Sequence, residues 1–119
     1  MSNSTAAGGG LDAERLLDIL AETGFPTAYD HFISTPSLPF VLFRRTRSTA
    51  LYADDKTFQK TNRWQIMLCT ERKSAEAEQS LESALDEICI PYEVADETYV
   101  KEERLYQITY EIEELEVKT

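Results

Sequence analysis

A single histidine, His31, among 119 residues removes most of the chemistry that a small protein can host. A His–His zinc pair or an HExxH helix needs at least two imidazoles. A lone general base beside Tyr29 and Asp30 is conceivable, but a histidine on a short strand next to a loop reads first as structural or exposed. Cys69 and Cys89 lie in apolar stretches, IMLCT and EICIP, without CxxC spacing. Neither has a sequence neighbour that would stabilise a thiolate, so both read as small buried hydrophobes in a reducing compartment. No serine stands in a GxSxG elbow.

Phosphate chemistry fares no better. All four glycines (Gly8, Gly9, Gly10, Gly24) fall at or before the end of the first expected helix, whereas a phosphate-cradling loop needs glycine between a strand and a helix. Asp54-Asp55 lacks the spacing and the glycine of an EF-hand loop. The run Glu111, Glu113, Glu114, Glu116 sits on an expected strand, where Glu111 and Glu113 read as a solvated face. Arg44, Arg45 and Arg47 have the composition of an anion site, but in a chain of net charge −10 a protein contact is the better reading. The residues therefore predict no catalytic site, no metal and no cofactor.

The charge is unevenly placed. Residues 40–73 hold eight basic side chains against three acidic ones, and residues 74–119 hold fourteen acidic against three basic. Opposed sectors on one molecule orient partners or identical copies, and they are expected to satisfy each other between copies packed head to tail.

The elements that must position these residues follow from hydrophobic periodicity. Residues 11–23 place Leu16, Leu17, Ile19 and Leu20 on one side of an amphipathic helix that Gly24 and Pro26 end. Residues 27–32 suggest a short strand, and the prolines of STPSLP make residues 34–39 a loop. Residues 40–46 begin as a buried strand, and residues 47–58 read as a long hairpin connection or arm with a short strand near residues 50–53. In residues 62–70, Trp64, Ile66 and Leu68 share one face and Met67 and Cys69 the other, which predicts a central strand. Ser74 caps a second helix to residue 88 with a stripe of Ala77, Leu81, Ala84, Leu85 and Ile88. Residues 92–100 and 104–115 form a final hairpin, in which Tyr106, Ile108, Tyr110 and Ile112 alternate with polar residues.

The expectation is one α+β domain over residues 11–119 behind a flexible tail, residues 1–10. Its element order is α-β-β-β-α-β-β, with a mainly antiparallel four- to five-stranded sheet and two helices on one face. The tail has no basic n-region or apolar h-region, and no apolar run approaches the roughly 20 residues that span a bilayer. A soluble chain made in the cytoplasm, without a membrane partner, is expected.

One ordered set of short strings resembles a known family. It runs through Tyr29-Asp30-His31-Phe32, Pro39-Phe40-Val41-Leu42-Phe43, Ala53-Asp54-Asp55 with Phe58 and Lys60, and Ile66-Met67-Leu68-Cys69-Thr70 with Lys73. It continues with Leu81-Glu82, Leu85, Tyr92, Glu97-Thr98-Tyr99-Val100 and Glu103, and the resemblance extends over roughly residues 11–115. In these strings the chain resembles the minor tail, tail-terminator and head–tail joining proteins of long-tailed bacteriophages. The resemblance implies a non-enzymatic virion protein forming a homohexameric ring that caps the tail tube and meets the head connector. Its partners would be itself, the tube protein and the head-completion protein, with DNA only passing through. Arg44, Arg45, Arg47, Tyr52, Phe58 and Lys60, on the expected arm, are the candidate protein interface. The alternative from the residues alone is a small acidic cytoplasmic regulator or inhibitor that binds one basic partner.

Overall fold

The computed structural model describes residues 12–52 and 58–118; the expected flexible tail, the pair Asp54-Asp55 and the tip of the expected arm lie outside the described residues. Seven elements follow in chain order: α1 (Ala13–Ala21), β1 (Thr27–Tyr29), β2 (Phe40–Tyr52), β3 (Phe58–Thr70), α2 (Ala75–Glu87), β4 (Tyr92–Val100) and β5 (Leu105–Lys118). The α+β class and the α-β-β-β-α-β-β order are those the periodicity predicts.

The helices form where their ends are marked. The Asp12 carboxylate accepts the backbone N–H of Arg15 at 2.8 Å, which satisfies one of the orphan donors of α1. The chain leaves α1 through Gly24 at φ 84, a conformation that side chains disfavour. Leu16, Ile19 and Leu20 are buried, while Leu17, expected among them, turns to the rim. Ser74 caps α2 by accepting from the Ala77 N–H at 3.2 Å, and Ala77, Leu81, Ala84 and Leu85 form the buried stripe.

The strand order β1-β2-β3-β5-β4 puts β3 at the centre, in agreement with its two apolar faces. The sheet is mixed, because β1 runs parallel to β2 with Thr27 beside Val41. Residues 30–39 do not turn a hairpin; they return the chain to the end of the sheet at which β1 began. Every other neighbouring pair is antiparallel.

Register builds the core on one face. Trp64 stands opposite Ile112, Ile66 between Phe43 and Tyr110, and Leu68 between Val41 and Ile108. These eight side chains pack with the buried stripes of both helices into one cluster, with Tyr106 at its margin. The Tyr110 hydroxyl donates to Glu82 Oε2 at 2.8 Å and so ties the sheet to α2. Burial and that bond hold the phenol far above its ordinary pKa, which keeps it a donor.

The opposite, open face carries a smaller cluster of Phe40, Cys69 and Leu105 under Phe32 and Leu38 of the 30–39 loop. Burial, with Glu103 nearby, pushes the Cys69 thiol up to about 11, as an inert structural cysteine requires. Cys89 corrects the sequence expectation: it is exposed, at φ 57 just after α2. An apolar flank did not bury it, because it occupies the left-handed position at which the helix ends.

The larger correction concerns residues 47–58. In place of a long connection with a short strand near its middle, the ladder continues: β2 and β3 each run 13 residues and β5 runs 14.

Candidate functional site

Past Trp64 and Ile112 the apolar core ends and the strands do not. Residues 58–63 of β3 stay paired on both sides, to β2 from Arg47 to Tyr52 and to β5 from Glu113 to Lys118. The result is a three-stranded arm about 20 Å long, from six residues at the usual strand rise. It stretches the molecule to 52 × 27 × 27 Å. The radius of gyration, 15.7 Å, exceeds the roughly 13.5 Å expected of a compact chain of this length.

Local chemistry explains why an uncovered ladder holds together. At the root of the arm Asn62 is 2 % exposed, accepts from the Ser48 hydroxyl at 2.9 Å and donates to Glu114 Oε1 at 3.3 Å. Ser48, Asn62 and Glu114 are register partners, so this polar rung crosses all three strands. One strand position further out, Thr49 faces Thr61, a favourable cross-strand pair.

A bulge decides where the arginines go. Arg45 is opposite Trp64 and Arg47 opposite Arg63, so Thr46 is the extra residue, its hydroxyl donating to the Arg63 carbonyl at 3.2 Å. The extra residue reverses the alternation. Arg44 and Arg47 share the open face, whereas Arg45 lies on the helix face with its guanidinium 6.0 Å over the Trp64 ring. Arg44 donates to Gln65 Oε1 at 3.3 Å. Lys60, half-buried, is on the helix face opposite Ala50. Tyr52 and Phe58 pair through their backbones at the far end of the arm, and their side chains lie outside the described residues. The residues expected to form one interface are thus divided: Arg44 and Arg45 lie on the body just before the arm, Arg47 and Lys60 on the arm, and these four side chains are on two faces of the sheet.

Sequence reasoning missed two leucines there. Leu51 and Leu115 are 60 % and 61 % exposed and share the open face, opposite Gln59 and Thr61. Leu115 interrupting a run of glutamates was the available signal.

The opposed charge sectors are partly neutralised within the chain, contrary to the expectation that copies alone would do so. Arg63 lies 2.8 Å from Glu113 and 3.9 Å from Glu111, because β3 and β5 are neighbours. Hydrogen bonding to Glu113 raises the Arg63 pKa. Lys73 reaches Glu97 at 2.8 Å and Glu78 at 3.1 Å, and its bond to Glu97 raises its pKa. The same Lys73 bond, with one from Tyr106, lowers that of Glu97. Arg44, Arg45 and Arg47 have no carboxylate partner among the described side chains.

Two sheet edges are open. β1 covers β2 only at residues 41–43. The Tyr29 hydroxyl then accepts the Arg45 N–H at 3.2 Å, and no described strand lies beside β2 beyond that point. β4 closes the other side of the sheet, with every residue between Tyr92 and Val100 exposed and its own bulge between Val94 and Asp96.

A cleft of about 630 Å³ lies between the 30–39 loop and the open face, lined by Phe32, Pro36, Leu38, Phe40, Leu42 and Leu105 with His31 and Glu103. His31 is 74 % exposed and 3.2 Å from Asp30. Among the described residues no three His, Cys, Asp or Glu side chains are grouped to hold a metal ion, and no helix is long and apolar enough to cross a membrane. Geometrically the arm and the two open edges are the parts of this molecule most suited to meeting another. No protein-family model and no curated protein matches the sequence.

Proposed function

We propose that this chain is a non-catalytic structural subunit that self-associates through its arm into a closed ring. In the phage setting that its sequence strings resemble, the ring would cap a tail tube and present a surface to the head connector. The carrying observation is the arm itself: three strands extended past the core, with Leu51 and Leu115 exposed on one face. A monomer gains little from keeping such a ladder out in water, since uncovered strand edges invite pairing with other chains. A heterologous contact between two different patches closes into a ring when its rotation closes. The net charge of −10 suits a channel that passes DNA without binding it.

Sedimentation of the full chain over a concentration series tests the reading. The wild type is expected to form a closed hexamer, and Leu51→Ser with Leu115→Ser to sediment as a folded monomer. A wild type that stays monomeric at the highest attainable concentration, alone and with assembled tail tubes, overturns it.

A further inference from the structure

We infer that the open edge of β2 beyond β1 pairs, antiparallel, with the β4 edge of a second copy of this chain, so that the sheet continues from one subunit into the next. This rests on the self-association reading above and names its second surface.

Three observations select β4 as the occupant. The first is length. Past the Tyr29–Arg45 bond the uncovered part of β2, residues 46–52, is seven residues, and the exposed stretch of β4, residues 93–99, is also seven. The second is charge. Residues 44–52 contain Arg44, Arg45 and Arg47 and no acid, while β4 contains Glu93, Asp96 and Glu97 and no base. The β2 arginines lack carboxylate partners among the described side chains; of the β4 acids, Asp96 takes part in no ion pair there and Glu93 acts on Arg63 only through its charge, without a direct bond. The third is direction. Through the antiparallel ladders β2–β3, β3–β5 and β5–β4, β4 runs opposite to β2. Through those ladders β4 is level with residues 40–45 of its own β2, so a closed ring needs strands tilted to its axis, as in barrels. The tilt keeps the directions and staggers neighbours, so that β4 of one meets the uncovered end of β2 of the next antiparallel, the more stable pairing.

The arrangement is heterologous, because each subunit offers β2 on one side and β4 on the other. Main-chain hydrogen bonds supply affinity, as in other strand additions, and the charges choose the partner edge. The β4 edge would otherwise be an ordinary protected one, charged and bulged. It is the basic edge of equal length on the same chain that gives it a partner.

A charge-swap complementation tests the pairing. One variant carries Arg44→Glu, Arg45→Glu and Arg47→Glu; the other carries Glu93→Arg and Asp96→Arg. Each alone sets like charges edge to edge and is expected to self-associate at least about tenfold more weakly than wild type. Mixed in equal amounts, every contact is again opposite in sign, and assembly should return with the two variants alternating. Amide exchange in residues 46–52 and 93–99 should slow in the assembled state and not in either variant alone. A mixture that stays dispersed while wild type assembles overturns the edge pairing and leaves the ring reading standing. Assembly without slowed exchange at these amides overturns strand addition as well. A wild type that never assembles removes both.

Discussion

Asn62 accepts a 2.9 Å hydrogen bond from Ser48 while it donates to Glu114, and so joins three strands at the point where apolar packing stops. The rung does for the arm what Trp64 does for the body, by fixing which residues lie opposite one another. A slip by one position would send Asn62 to the open face and strand its partners.

Removing the rung should therefore be costly at a place with no hydrophobic core. Asn62→Ala is expected to lose about 1–3 kcal/mol, the penalty of leaving buried polar partners unsatisfied. Urea denaturation followed by Trp64 fluorescence would show it as a lower midpoint. A loss under about 0.5 kcal/mol, the range of ordinary surface changes, would mean that the rung does not hold the register.

The two leucine environments predict opposite outcomes. Leu85 is 0 % exposed in the core, and Leu85→Ala should cost about 2–5 kcal/mol. Leu115→Ala, on the open face of the arm, should change monomer stability by no more than about 0.5 kcal/mol. Its effect should appear in association instead, measured by sedimentation of the same samples.

The Lys73, Glu97 and Tyr106 cluster predicts acid sensitivity. Glu97 has a lowered pKa in the folded chain, from hydrogen bonds to Lys73 and Tyr106. Its contribution is therefore present above the unfolded glutamate value of 4.5 and is lost as pH falls through the lower folded value. Lys73, with a raised pKa, contributes below its unfolded value of 10.5 and loses that contribution as pH rises through the higher folded one. Between pH 5 and 9 both contributions are complete. Lys73→Met should flatten the decline of stability below pH 4.5 relative to wild type, measured by thermal melts across pH. Parallel curves for the two proteins would show that the cluster is not coupled to folding.

Much of the body was legible because its period is unambiguous. Trp64, Ile66 and Leu68 alternate, Leu81, Ala84 and Leu85 follow a helical stripe, and Ser74 and Gly24 mark helix ends by chemistry that acts locally. The arm was not legible, for a physical reason. Residues 47–51 have no buried face, so no periodicity marks them as a strand, and what makes them one is pairing with residues 59–63 of the next strand. The division of Arg44, Arg45 and Arg47 between two faces was equally hidden. It depends on Thr46 being left out of the ladder, and a bulge has no signature when the extra residue is an ordinary threonine. The parallel pairing of β1 depended on the path of residues 30–39 through space, which two prolines announce only as a loop.

β3 runs unbroken from Phe58 to Thr70, and β5 beside it from Leu105 to Lys118, so the same two strands serve both the tip of the arm and the core. Tension applied to the tip along the strand direction would load the β3–β5 ladder in shear, with every rung strained together. Peeling would break rungs one after another, but it requires a sideways pull that neighbours packed on either flank would resist. The arm is a strut anchored through the whole body, and its mechanical yield should depend strongly on the direction of the applied force.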